Sequence, residues 1–120
     1  MSENSIIGQK SFEFAICIVN FYKKFTAEKK EFIISKQIMR SGTSIGANVR
    51  EALNGQSKAD FIHKLSIAQK ECDETIYWLE LLKATDYIED LSSLTYIPEH
   101  WNYLKLLEAL SSQARRTYNS

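Results

Sequence analysis

Few residues in this 120-residue chain are suited to chemistry, and their spacing is poor for it. Di-iron sites in helical bundles need Glu-x-x-His pairs on two helices, and neither His63 nor His100 has a glutamate three residues before it. Glu71-x-x-Glu74 is a carboxylate pair without the histidine complement. Ser, His and Asp all occur, yet no nucleophile elbow or phosphate loop organises them. Cys17 and Cys72 lack a C-x-x-C partner and fall among apolar residues, where thiols serve as inert filler in a reducing compartment. The expectation is a protein with no metal, no cofactor and no enzymatic activity.

Recognition is the better prospect, and it centres on Arg40-Ser-Gly-Thr-Ser-Ile-Gly-Ala-Asn-Val-Arg-Glu-Ala52. At about 100° per residue, Gly42, Ile45, Gly46 and Val49 share one helical face with Ile38, Met39 and Leu53. Each interior glycine costs a helix about 1 kcal/mol relative to alanine, so the pair Gly42-x-x-x-Gly46 implies a close backbone approach or a niche for a large side chain such as Trp78 or Trp101. Arg40, Ser44, Asn48 and Glu51 form a narrow polar stripe on roughly the opposite side. Serine and asparagine are mediocre helix formers, so this stripe is a candidate interaction face as well as a candidate solvated one.

Candidate phosphate contacts are Lys23, Lys24, Lys29, Lys30, Lys36 and Arg50, with Lys58, Lys64, Arg115 and Arg116 further along. Net charge is zero, but residues 1–70 carry 11 basic and 6 acidic side chains and residues 71–120 carry 4 and 9. Helices adjacent in a bundle would mix these over one surface, whereas a ring of copies would multiply even a modest patch.

Long helices must position these residues. Four Gly and one Pro leave little material for turns, and Leu, Ile, Ala, Lys and Glu dominate. After a polar start over residues 1–5, helices are expected at about 6–27, 32–54, 57–85 and 99–118. Asn54-Gly55 would close the second with a left-handed cap, and Ser57 with Asp60 would open the third as a capping box. In the third helix Phe61, Leu65, Ala68, Cys72, Thr75, Leu79 and Leu82 alternate spacings of four and three, a seam suited to shallow crossing, bordered by Lys64, Glu71 and Trp78. In the fourth, Trp101, Leu104, Leu107, Leu110 and Ala114 would face inward. The fold class is therefore all-α, a single domain over 1–120 built as an antiparallel up-down-up-down four-helix bundle.

The first helix is apolar on two sides. Phe12, Ala15, Ile16, Val19 and Tyr22 form one stripe; Phe14, Cys17, Ile18, Phe21 and Phe25 form the other and are the candidate oligomer interface. No apolar run is long enough to span a bilayer, so the expected location is the cytoplasm with no membrane partner.

RSGTSIGANVREA, followed by SKADFIHKLSIAQKECDETIYWLELL and preceded by KSFEFAICIVNFYK, closely resembles the bacterial 23S rRNA intervening-sequence protein family over residues 10–85. The resemblance implies a four-helix bundle assembled as a homopentamer, with motif positions at Arg40, Ser44, Gly46, Asn48, Glu51, Lys64, Glu71 and Trp78 and no known catalytic role for any of them. It also implies kinship with the accessory variability factor of diversity-generating retroelements, a basic pentamer that associates with reverse transcriptase and nucleic acid. Self, RNA or DNA, or another protein are thus the expected partners.

Overall fold

The computed structural model describes residues 3–89, and all regular structure within them is helical: α1 (Glu3–Lys29), α2 (Ile34–Leu53) and α3 (Lys58–Ala84). The helix expected over 99–118 lies outside the described residues. α1 begins at Glu3, inside the polar stretch expected to fray.

α2 packs against both α1 and α3. Its pairing with each is antiparallel: Gly42 lies at Ile18, Gly46 at Ser11 and Leu53 at Gly8, while Arg40 meets Glu71 and Glu51 meets Lys64. α1 and α3 therefore run parallel on either side of α2. The core contains Phe14, Ile18, Ile38, Ile45, Val49, Ala68, Cys72 and Leu82, each 1% exposed or less. Six of the seven predicted seam residues of α3, Leu65 to Leu82, are buried; Phe61 is half-buried at the end.

Connections follow from local chemistry. Lys30 ends α1 in the left-handed region (φ 56), and its N–H donates to the Thr26 carbonyl at 3.1 Å. Glu31 then caps α2: one carboxylate oxygen accepts from the Ile33 and Ile34 N–H groups at 2.9 and 2.8 Å, and the other accepts from Ser35 N–H at 2.8 Å. The Ser35 hydroxyl returns a bond to the Glu31 carbonyl at 2.7 Å. The helices expected at about 6–27 and 32–54 leave Glu31 between them with no role of its own.

The α2–α3 turn departs from the left-handed cap expected at Asn54-Gly55. Asn54 has φ −98 and ψ 6, and no glycine among the described residues has positive φ. A Cβ on Gly55 would stand 2.5 Å from Asp60 Oδ2, the end of a side chain that can turn away, and 3.1 Å from the Ala52 carbonyl oxygen. The Asp60 carboxylate thus sits beside Gly55. Ser57 does cap α3, its hydroxyl accepting from Asp60 N–H at 3.0 Å.

Candidate functional site

The glycine pair serves the α1–α2 contact. A Cβ on Gly42 would meet three Ile18 side-chain atoms at 2.7–3.0 Å, and one on Gly46 would meet the Ser11 backbone carbonyl oxygen at 3.1 Å. The niche is occupied by Ile18 and by the α1 backbone in place of Trp78; Trp101 lies outside the described residues. Ser11 is buried and satisfies its hydroxyl on the Gly8 carbonyl at 3.1 Å, so the helix faces meet without an orphaned polar group.

The polar stripe meets α3 at both ends. Arg40 Nη1 lies 3.3 Å from Glu71 Oε2, Nη2 contacts Glu74 Oε2, and Trp78 Nε1 donates to that same Glu74 oxygen at 3.1 Å. At the other end Lys64 Nζ lies 3.6 Å from Glu51. Between them Ser44 donates to the Arg40 carbonyl at 2.7 Å, and Asn48 Nδ2 donates to the Ser44 carbonyl at 2.9 Å. Beneath this row, Thr75 and Ser41 are fully buried with their hydroxyl oxygens 2.8 Å apart. Thr75 Oγ1 is also 2.7 Å from the Glu71 carbonyl oxygen. One hydroxyl proton per residue fits the pair: Thr75 donates to the carbonyl and Ser41 donates to Thr75.

Residues expected to face outward and to face α3 are thus one arrangement, a row of ion pairs and hydrogen bonds along the α2–α3 groove. Glu71 and Glu74, weighed from sequence as metal ligands, both hold Arg40. The Arg40 side chain as a whole remains half exposed (49%).

The family model for the 23S rRNA-intervening sequence protein matches residues 3–109. The chain belongs to that family. It is also similar, at 51% identity and a TM-score of 0.82, to a Bacteroides thetaiotaomicron protein of unknown function from the S23 ribosomal protein family, whose crystal structure is solved. That likeness covers 92% of this chain and 99% of the other. A comparison with curated proteins gives no match. Seven of the eight motif positions of the intervening-sequence proteins quoted above fall in or beside the α2–α3 row; the eighth, Gly46, lies against α1.

The candidate oligomer interface needs correction. Phe14, Cys17, Ile18, Phe21 and Phe25 are 0–5% exposed within one chain, because this stripe is the one that α1 turns into its own core. The opposite stripe is the accessible one: Phe12 is 52% exposed and Ile16 48%, with Ala15, Val19 and Tyr22 half-buried. Arg50, a candidate phosphate contact, sits with its guanidinium carbon 5.3 Å from the centroid of the Phe12 ring. Phe12, Ala15, Thr43, Gly46, Ala47 and Arg50 line an open groove between α1 and α2.

Lys23, Lys24, Lys29, Lys30 and Lys36 are all exposed. Lys29, Lys30 and Lys36 surround the turn that also exposes Phe32 and Ile33. Both cysteines are buried, in keeping with filler thiols. No helix among the described residues is long and apolar enough to cross a membrane.

Proposed function

We propose that this intervening-sequence protein is a non-enzymatic helical scaffold that works as a homo-oligomer, a pentamer by family resemblance, in the cytoplasm. The observation that carries this reading is the outer stripe of α1, where Phe12 and Ile16 remain about half exposed in a single chain. Covering such a ridge stabilises an assembly by roughly 25 cal/mol per Å² of apolar surface. The helix expected from the sequence over about 99–118, outside the described residues, would complete an up-down-up-down bundle, with Trp101, Leu104, Leu107, Leu110 and Ala114 as its apolar positions. The use of Arg40, Glu51, Lys64, Glu71 and Glu74 in mutual ion pairs supports a structural role for the motif over a catalytic one. Light scattering at micromolar protein tests the reading: a multimer is expected, and a monomer overturns it.

A second reading, RNA or DNA binding by the assembly, is favoured by the exposed lysines at the α1–α2 turn. Action as an accessory to a reverse transcriptase would be one form of it. Affinity for structured RNA should then fall steeply with salt as released counterions are replaced. No binding at low salt and tens of micromolar protein removes this reading.

A further inference from the structure

The turn between α2 and α3 carries a chemically reactive junction. Of the six asparagines in the chain, Asn54 is the only one followed by glycine. An asparagine side-chain amide is open to attack by the main-chain nitrogen of the next residue, and glycine hinders that approach least because it has no Cβ. Asn54 is exposed at the C-cap of α2, with Gly55 half-buried beyond it. Asn20 and Asn48 lie inside helices, before Phe21 and Val49, and the Asn48 amide donates to the Ser44 carbonyl at 2.9 Å.

The fold holds this junction out of its reacting geometry. Closing a five-membered ring needs Asn54 Cβ to eclipse the Gly55 nitrogen about the Cα–C bond, whereas at ψ 6 the Asn54 nitrogen occupies that eclipsed position. The attacking group is also engaged. Gly55 N–H donates to the Ala52 carbonyl at 3.1 Å, and Asn54 N–H donates to the Arg50 carbonyl at 3.1 Å. Both bonds belong to a helix end, the part of a helix that opens most readily.

We propose that Asn54 is a self-modification site, converted to aspartate and isoaspartate at a rate gated by opening of the α2–α3 turn. In the opened turn the Gly55 nitrogen gives its proton to a solvent base and bonds to Asn54 Cγ. The Cγ–Nδ2 bond breaks, and Nδ2 takes up a proton and leaves as ammonia. Water then adds to either carbonyl carbon of the resulting imide and breaks that carbon's bond to the ring nitrogen, which regains a proton. One opening leaves aspartate; the other leaves isoaspartate, with the main chain routed through the former side chain. The net reaction turns an amide and water into a carboxylic acid and ammonia, so it needs no oxidant or cofactor.

The product disturbs the turn that forms it. A carboxylate at residue 54 stands at the negative end of α2. It enters a groove where Arg50 and Lys64 are matched by Glu51 and Asp60, with Lys58 the exposed cation on the same turn. Isoaspartate also lengthens the main chain by a methylene between α2 and α3, whose pairing through Arg40–Glu71 and Glu51–Lys64 depends on register. Conversion therefore loosens the α2–α3 contact as the protein ages.

Peptide mapping by mass spectrometry tests this on the full chain aged in warm neutral buffer, with and without enough guanidinium chloride to unfold it. The amide-to-acid mass change is expected at Asn54, several-fold faster in the unfolded chain, with isoaspartate identified by its methylation with an isoaspartyl methyltransferase. Asn54→Gln should abolish the signal. Ser57→Ala removes the hydroxyl that caps α3 without touching the junction, and should speed conversion of the folded chain several-fold, circular dichroism confirming that it stays helical. Chain converted in denaturant and refolded should unfold at lower guanidinium than fresh chain. An Asn54 amide intact under both conditions overturns the site. Equal rates in buffer and denaturant, or a folded rate unmoved by Ser57→Ala, overturn the gate. An unchanged unfolding midpoint after conversion overturns the loosening of the α2–α3 contact.

Discussion

The two edges of α2 are built on opposite principles. Toward α1, contact is made by leaving side chains out: a Cβ on Gly42 or Gly46 would force Ile18 or the Ser11 backbone to shift. Toward α3, contact is made by adding polar atoms: Arg40 with Glu71 and Glu74, Glu51 with Lys64, and Ser41 with Thr75. The first edge is fixed by volume and is insensitive to salt. The second is fixed by pairing, tolerates changes of size at its exposed rim, and weakens as salt screens its charges. One helix thereby holds two neighbours by means that fail under different perturbations.

The largest effects should come from the glycine edge. Ile18→Ala removes a fully buried side chain and should cost about 2–5 kcal/mol in denaturant unfolding. Gly42→Ala should cost about 1–3 kcal/mol despite the better helix propensity of alanine, because three Ile18 atoms would have to move at once. Combining the two should cost less than the sum, the added methyl taking space that the truncation vacates. Strict additivity would show that these residues do not share one volume.

On the α3 edge, the buried hydroxyl pair should dominate. Thr75→Val keeps the shape but removes the acceptor for Ser41, and should destabilise by about 1–3 kcal/mol. Adding Ser41→Ala should recover part of the loss, since the orphaned hydroxyl disappears with its partner. A double variant no more stable than Thr75→Val would mean that Ser41 finds another acceptor.

Glu31 sets the start of α2 and hence both edges. Burial pushes its carboxyl pKa up, but hydrogen bonds from the Ile34, Ser35 and Ile33 N–H groups outweigh this and hold it below the ordinary value of 4.5. A folded-state pKa below the unfolded one contributes stability that is fully present above the unfolded pKa and is lost as pH falls through the folded one. Glu31→Gln should therefore cost about 2 kcal/mol near pH 7. The gap to wild type should narrow in acid, and a gap that is constant from pH 7 to pH 3 would deny the carboxylate its role.

The smallest effect belongs to the exposed ion pairs. Arg40→Met should cost about 0–1 kcal/mol, with most of the difference disappearing at 1 M salt. A salt-independent loss would assign the contribution of Arg40 to packing of its stem over Trp78 and α3 instead of charge.

Apolar period alone made much of this arrangement legible. The seam of α3 and the core face of α2 follow from spacings of three and four, and Ser57 announces its own cap. Periodicity finds two apolar stripes on α1 but cannot rank them, because each is equally apolar. Which one turns inward is decided by where Gly42 and Gly46 let α1 approach, a contact distant in sequence. The polar stripe of α2 misleads for a related reason: Arg40 and Glu51 lie opposite the core in a helical projection, yet their long side chains reach around to Glu71, Glu74 and Lys64. Glu31 escapes a sequence reading because a glutamate two to four residues before the N–H groups it caps looks like any other charge between helices. Gly55 is a turn glycine without positive φ, and dipeptide identity does not distinguish that from a left-handed one.

Both edges of α2 shape a protomer whose outer α1 stripe stays half exposed, and sedimentation equilibrium of the wild-type chain over a range of micromolar concentrations tests most directly the proposal that another copy covers it. The account predicts a single species at five times the chain mass of 13.9 kDa. A species at 13.9 kDa throughout would contradict it.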